Sequence, residues 1–134
     1  MSLLLDGKNI LIMGVSNKWS IAWGIAQSCI DAGANLIFTY QGDRTERSVK
    51  QLIEANVPGA KLYSCDVSDD SEIQKLFENI KNDFGKLDGV VHSIAFARKE
   101  ELEGLYYNTS RDGYLLAQNI SSYSLVAVCR HAKD

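Results

Sequence analysis

Apolar and polar positions follow one another along this chain in blocks whose period changes in a regular order. Residues 8–13 (KNILIM) form a short, nearly unbroken apolar run ending at Gly14, the pattern of a strand buried on both faces of a parallel sheet. From Ser20 the period lengthens. Ile21, Ala22, Ile25, Ala26, Cys29 and Ile30 share one face of a predicted helix that Gly33 stops. Residues 35–40 (NLIFTY) are β-branched and aromatic and predict a second strand. A helix over residues 43–56 carries Val49, Leu52 and Ile53 on its apolar face, and the stretch 56–59 with Pro58 breaks it. Residues 61–65 predict a third strand. Asp69 then starts a helix striped with Ile73, Leu76, Phe77, Ile80 and Phe84. Residues 87–92 (LDGVVH) predict a fourth strand, residues 95–112 are polar and irregular, and residues 113–132 resume a helical pattern.

Four strands, each followed by a helix, predict right-handed crossovers and an α/β fold, a Rossmann-like doubly wound parallel sheet. The expected strand order is 3-2-1-4. The pattern stops after the fourth strand and its helix, so the second mononucleotide-binding half of a complete doubly wound sheet is absent. No repeat, low-complexity tract or linker divides the chain, and residues 1–134 read as one amino-terminal dinucleotide-binding half of a single domain. The outer edge of the fourth strand is left without a partner, which predicts association with another copy or another chain.

Composition narrows the picture. With 46% hydrophobic residues the chain holds enough apolar material for a sizeable core. A net charge of -3, with 14 Lys and Arg spread along the sequence, offers no cationic stripe for a phosphate backbone, so nucleic acid is not an expected partner. Three leucines at the start, soon followed by an acid and a glycine, do not make a signal peptide, and no uncharged stretch is long enough to span a bilayer. A membrane is not expected either. Cys29, Cys65 and Cys129 form neither a CxxC pair nor an even set, and each lies in or beside an apolar run where a small buried thiol fits. The expectation is a reducing, cytoplasmic compartment and no metal.

Ligands of open α/β sheets bind beyond the carboxyl ends of the strands, where the strand order reverses. That directs attention past Met13 and past His92. The segment Gly14-Val-Ser-Asn-Lys-Trp-Ser20-Ile21-Ala22-Trp-Gly24 sets a glycine at the turn, a hydroxyl at the helix start and small residues where helix approaches sheet. Ser20 can cap the helix and help its free N–H groups hold a pyrophosphate. The usual GxGxxG is missing, and a plain strand-to-helix turn fits this segment as well.

The spacing Gly-x5-Ser-Ile-Ala-x-Gly nevertheless resembles the enoyl-acyl-carrier-protein reductases, a divergent branch of the short-chain dehydrogenases/reductases. Four more segments resemble that family in order and spacing: Phe38-Thr-Tyr-Gln41, Cys65-Asp66-Val67, His92-Ser93-Ile94-Ala95-Phe96-Ala97 and Asn119-Ile120-Ser-Ser-Tyr-Ser124. The resemblance implies an oxidoreductase of type II fatty-acid synthesis that reduces the trans-2 double bond of an enoyl-acyl-carrier-protein with NADH. By the same resemblance, Gly14, Ser20 and Ile21 line the diphosphate and its ribose, the glycine because a Cβ would block close backbone approach. Asp66 and Val67 contact the adenine, although Asp66 can equally begin the turn into the next helix. Ser93, Ile94 and Ala95 approach the ribose near the nicotinamide, Ala97 edges the acyl pocket, and Ile120 packs beneath the cofactor or is ordinary helix core. Gln41 ends the second strand, where an acid would select ribose hydroxyls and a base a 2′-phosphate; glutamine favours NADH, while Arg44 and Arg47 keep NADPH open. The family assembles as a homotetramer through its last helix here.

His92 is expected to be a satisfied supporting group and not an acid or base, His131 has no evident partner, and Trp19 and Trp23 are expected to pack. The family's proton chemistry falls to a Tyr-x6-Lys pair, and none of the six tyrosines here has a lysine seven positions on. No catalytic residue is assigned. The competing expectations are a non-catalytic nucleotide-binding or subunit-interaction module and another short-chain dehydrogenase/reductase. His92-Ser-Ile-Ala, in place of the Asn-Asn-Ala-Gly of most relatives, argues against the latter.

Overall fold

A computed structural model describes residues 2–134. Strands β1 (Asn9–Met13), β2 (Asn35–Tyr40), β3 (Lys61–Ser64) and β4 (Gly89–His92) form one parallel sheet in the order β3-β2-β1-β4. Helices α1 (Ile21–Asp31), α2 (Gly42–Asn56) and α3 (Asp70–Phe84) are the crossovers. After β4 the chain makes short 3-10 turns at Lys99–Glu101 and Tyr106–Asn108. It then enters α4 (Arg111–Gln118), a π-helical segment (Asn119–Tyr123) and α5 (Ser124–Ala132). The expected topology is the observed one; β2 has the expected bounds, and the other three strands are one or two residues shorter.

Period-two alternation along β1 divides the core into two layers. Leu11 and Met13 face α3 and α5 with Ile37, Ile73, Leu76, Ile80 and Val128. Ile10 and Ile12 face the other way, with Leu36, Phe38, Val49 and Ile53, against α1 and α2. Each such side chain withdrawn from water contributes about 1.5–3 kcal/mol, so the central strand, buried on both faces, is where truncation costs most. Asp69 caps α3 by accepting from the N–H groups of Ser71 and Glu72.

Helix α1 departs from the expected stripe. Its sheet-facing residues are Ala22, Trp23 and Ala26, while Ile21, the first helical residue, lies to one side of that row and is 78% exposed. Gly24 faces outward with open space around it, so the small residues at the helix-to-sheet approach are Ala22 and Ala26. Trp23 packs against Phe38, ring centroids 6.3 Å apart. Trp19 does not pack: it is 82% exposed on the turn before α1, with the Lys18 ammonium 4.9 Å from its ring centre. Of the cysteines, Cys65 is buried, Cys29 is half-buried and Cys129 is exposed on α5, contrary to the expectation of three buried thiols. The helical pattern of residues 113–132 is interrupted by the π segment. Among the described residues no helix is long and apolar enough to cross a membrane.

Candidate functional site

The four strands end together, and their tips enclose a cleft of about 270 Å³. β1 contributes residues 14–16, β2 residues 39–41, β3 Cys65 and Val67, and β4 residues 93–95, with Thr45 from the first turn of α2. This is the carboxyl end of the sheet, where the order turns from β1 toward β2 on one side and β4 on the other. A larger hollow of about 350 Å³ lies at the amino end of β4, between Leu87, α3 and residues 131–134. Position in the fold, not volume, singles out the first.

Gly14 explains how the tips come so close. Its φ of +112° is a conformation L side chains rarely adopt, and a Cβ there would collide with the carbonyl of Ser93. The glycine thus admits the neighbouring strand's backbone, and the β1–β4 ladder closes with Ser93 N–H donating to the Met13 carbonyl at 3.0 Å.

At the start of α1, Asn17 Oδ1 accepts from Trp19 N–H at 2.8 Å. Ser20 occupies the N-cap position, but its hydroxyl does not cap: it donates to the Asn17 carbonyl at 2.7 Å. The expected side-chain cap is therefore absent. Among the described residues the N–H groups of Ile21 and Ala22 have no acceptor, so the first turn of α1 presents free donors and the positive end of its dipole. An anion with several acceptor oxygens is what such a terminus binds.

Of the residues singled out from sequence, Gly14, Gln41, Val67, Ser93, Ile94 and Ala95 come together around the cleft. Ser20, Ile21, Asp66, Ile120 and Ala97 lie outside its lining. Asp66 is half-buried, and its Oδ1 accepts from Ser68 N–H at 2.9 Å and from Ser68 Oγ at 2.6 Å, the turn-forming role. Its other oxygen takes no hydrogen bond among the described residues. Ile120 is buried with Leu11 and Met13 in the layer against which Ile94 packs. Ala97 is half-buried two residues past the cleft wall. Gln41 is exposed at the N-cap of α2, its carbonyl accepting from Thr45 Oγ1 at 2.7 Å. Arg44 and Arg47 are exposed and do not reach the cleft lining.

The sequence reading passed over Ser16, Thr39, Thr45 and Cys65, whose signal was only small polar or thiol side chains at strand tips. Burial, then the charges of Glu72, Asp66 and Asp69, push the Cys65 thiol up to about 12, so it stays protonated. His92 is tied to Ser124, its Nε2 lying 2.7 Å from the hydroxyl, and burial holds its imidazole below the ordinary value. No group of three or more His, Cys, Asp or Glu side chains is arranged to hold a metal ion among the described residues.

A parallel sheet ordered 3-2-1-4 with a glycine turn, a free helix N-terminus and four converging strand tips defines a Rossmann-like α/β fold. The family model described as enoyl-(acyl carrier protein) reductase matches residues 14–134, and the chain belongs to that family. It is 54% identical over 136 aligned positions to the NADH-dependent enoyl-acyl-carrier-protein reductase FabI of Bacillus subtilis, covering 99% of this chain and 52% of the relative. The NADPH-dependent FabI of Staphylococcus aureus is 49% identical, over 96% of this chain and 51% of its own length. Among solved structures, the Bacillus cereus reductase in complex with NADP+ and an indole naphthyridinone superposes with a TM-score of 0.92 at 52% identity, over 99% of this chain and 52% of that one. The Anaplasma phagocytophilum enzyme in complex with NAD gives 0.90 at 37% identity. The chain spans about half the length of the relatives it matches.

Proposed function

We propose that residues 1–134 form the dinucleotide-binding half of an NADH-dependent enoyl-acyl-carrier-protein reductase of type II fatty-acid synthesis. The observation that carries this reading is the convergence of Gly14, Gln41, Val67 and residues 93–95 on one cleft at the carboxyl end of the sheet. The glycine leaves room at the turn, and the free N–H groups of Ile21 and Ala22, preceded by Ser20, suit a diphosphate. Asp66, through its unpaired oxygen, and the Val67 backbone take the adenine; Ser93, Ile94 and Ala95 form the wall beside the nicotinamide ribose, backed by Ile120. Ala97 borders the acyl chain. Gln41 offers hydrogen bonds to ribose hydroxyls and no charge for a 2′-phosphate, and Asp43 in the first turn of α2 opposes one, so NADH is favoured over NADPH.

When bound, the dihydronicotinamide supplies a hydride to the β carbon of the enoyl thioester. This chain's residues bind and orient; the groups that hold and move the proton come from outside residues 1–134. A homotetramer in the cytoplasm completes the proposal. It is supported by the exposed Tyr114, Leu115, Leu125 and Val126 along the α4–α5 segment, an apolar face suited to a second copy.

Trp19 and Trp23 flank the diphosphate turn, so energy transfer from indole to dihydronicotinamide reads binding directly. Titration with NADH should quench the tryptophan emission saturably, and mixing with the complementary half of a relative should restore NADH oxidation on a crotonyl thioester. Absence of saturable quenching by the folded chain would sink the proposal. The lack of any Tyr-x6-Lys within the chain favours, as a second reading, a non-catalytic nucleotide-binding module, which predicts quenching without turnover under any complementation.

A further inference from the structure

Beyond Ser93 the β4 backbone leaves the sheet. Residues 94–97 form the wall of the cleft and the approach to Ala97, yet their peptide groups have only one hydrogen-bonding partner among the described residues, the side chain of Ser121. Its Oγ accepts from Phe96 N–H at 3.0 Å and donates to the Phe96 carbonyl at 3.2 Å. One hydroxyl, with a single proton and two lone pairs, thus satisfies both peptide groups of one residue, as a neighbouring strand would.

Ser121 reaches Phe96 from the π segment Asn119–Tyr123, where the extra residue in the turn shifts the register of everything after it. Three positions on, Ser124 bonds His92 at the other end of the same stretch. The two hydroxyls straddle residues 93–95. Ser124 is wholly buried and ties down the strand end, whereas Ser121 is half-buried and acts on the part of the wall that the sheet no longer holds.

We infer that Ser121 is a positioning residue for the nicotinamide end of the cleft, setting the course of residues 94–97 through the Phe96 backbone. The inference rests on the dinucleotide reading above, and it distinguishes the two ends of that ligand. Gln41, Asp66 and Val67, at the adenosine end, lie on other strand tips with no bond to Ser121.

The test measures binding of NADH and of ADP, which lacks the nicotinamide half, to the 134-residue chain and to Ser121→Ala. NADH binding is read by tryptophan quenching; ADP is read by its displacement of a fluorescent adenine nucleotide. Losing the two bonds should weaken NADH about five- to tenfold and leave ADP within about twofold, while amide exchange at Phe96 accelerates. Ser122→Ala, the exposed neighbour, should change neither affinity. Should the alanine variant not fold, Ser121→Cys keeps the shape, weakens both bonds and should give the same ordering. Unchanged NADH affinity in Ser121→Ala, or equal losses for NADH and ADP, would overturn the inference while leaving the cofactor reading intact. A wild-type chain that binds ADP and NADH equally would overturn it too, and one that binds neither would overturn the cofactor reading itself.

Discussion

The imidazole of His92 and the hydroxyl of Ser124 meet at 2.7 Å across the packing between β4 and α5. Ser124 spends its only proton on the Ile120 carbonyl, 2.6 Å away, so the hydrogen between the two side chains belongs to His92 Nε2. Ser124→Ala removes both bonds from a site with no solvent access. The expected cost is about 1–3 kcal/mol, visible as a lower thermal midpoint. An unchanged midpoint would show that α5 is not anchored through this pair.

Acid should act on the same pair. Burial, the main cause, depresses His92 from its ordinary 6.5. A group whose folded value is depressed is protonated first in the unfolded chain, so its stabilising effect is complete above about 6.5 and declines as pH falls below it. Urea midpoints measured from pH 8 to pH 5 should drop with pH in the wild type. His92→Gln should flatten that slope, and a slope of equal steepness in the variant would assign the acid sensitivity elsewhere.

Gly14 and Gly24 make a contrasting pair. Gly14→Ala forces a side chain into the Ser93 carbonyl at a φ of +112°, and should cost more than the roughly 1–3 kcal/mol of backbone strain alone and abolish NADH quenching. Gly24→Ala, in open space inside α1, should stabilise by up to about 1 kcal/mol with quenching intact. Equal tolerance at both positions would contradict the close approach of β1 and β4.

Glu101 closes the polar segment onto the start of α4. Its carboxylate accepts from Ser110 N–H at 3.0 Å and from the Ser110 hydroxyl, which in turn accepts from Gly113 N–H at 3.0 Å. Alanine at position 113 would collide with the Glu101 side chain, a flexible group that can swing out. Gly113→Ala should therefore favour the helix yet free residues 99–109, seen as faster proteolysis between Lys99 and Arg111. Retained resistance would mean that the segment holds itself without the clasp.

Thiol chemistry offers an independent reading of burial. Iodoacetamide at neutral pH should label Cys65 last of the three cysteines, since Cys65 is both buried and held up to about 12. Peptide mapping after timed alkylation gives the order. Early labelling of Cys65 would mean that the cleft opens far more than the packed strand tips allow.

Much of this was legible before any coordinates. The amphipathic rows Val49–Ile53 and Ile73–Ile80 arise from local period, which the sheet reads without alteration. The strand order follows from chain connectivity and handedness, neither of which depends on side-chain detail. What escaped depends on distant partners. Ile21 fits the predicted stripe of α1, but it lies beside the buried row Ala22, Trp23 and Ala26, and only the packing against the sheet decides which row is covered. The hydroxyl of Ser20 carries the right chemistry for a cap, but it is turned toward the Asn17 carbonyl, to which it donates, and its oxygen accepts from none of the free N–H groups of the first turn. The π segment is invisible to any helical period because it aligns Ser121 with Phe96 and Ser124 with His92, across about thirty residues of sequence. In the site, glycine, glutamine and the small residues after β4 announced themselves, while Thr39 and Thr45 had no signal beyond a hydroxyl.

β1 comes first in the sequence yet lies inside the sheet, and the cleft takes one edge from each of four strands. Because the lining comes from all four strand tips, a ligand that needs all of them binds the folded chain and not the unfolded one, and so draws the folding equilibrium with it. At a hundredfold excess over its dissociation constant that pull is about 2.7 kcal/mol, a large share of what keeps a chain of this size folded.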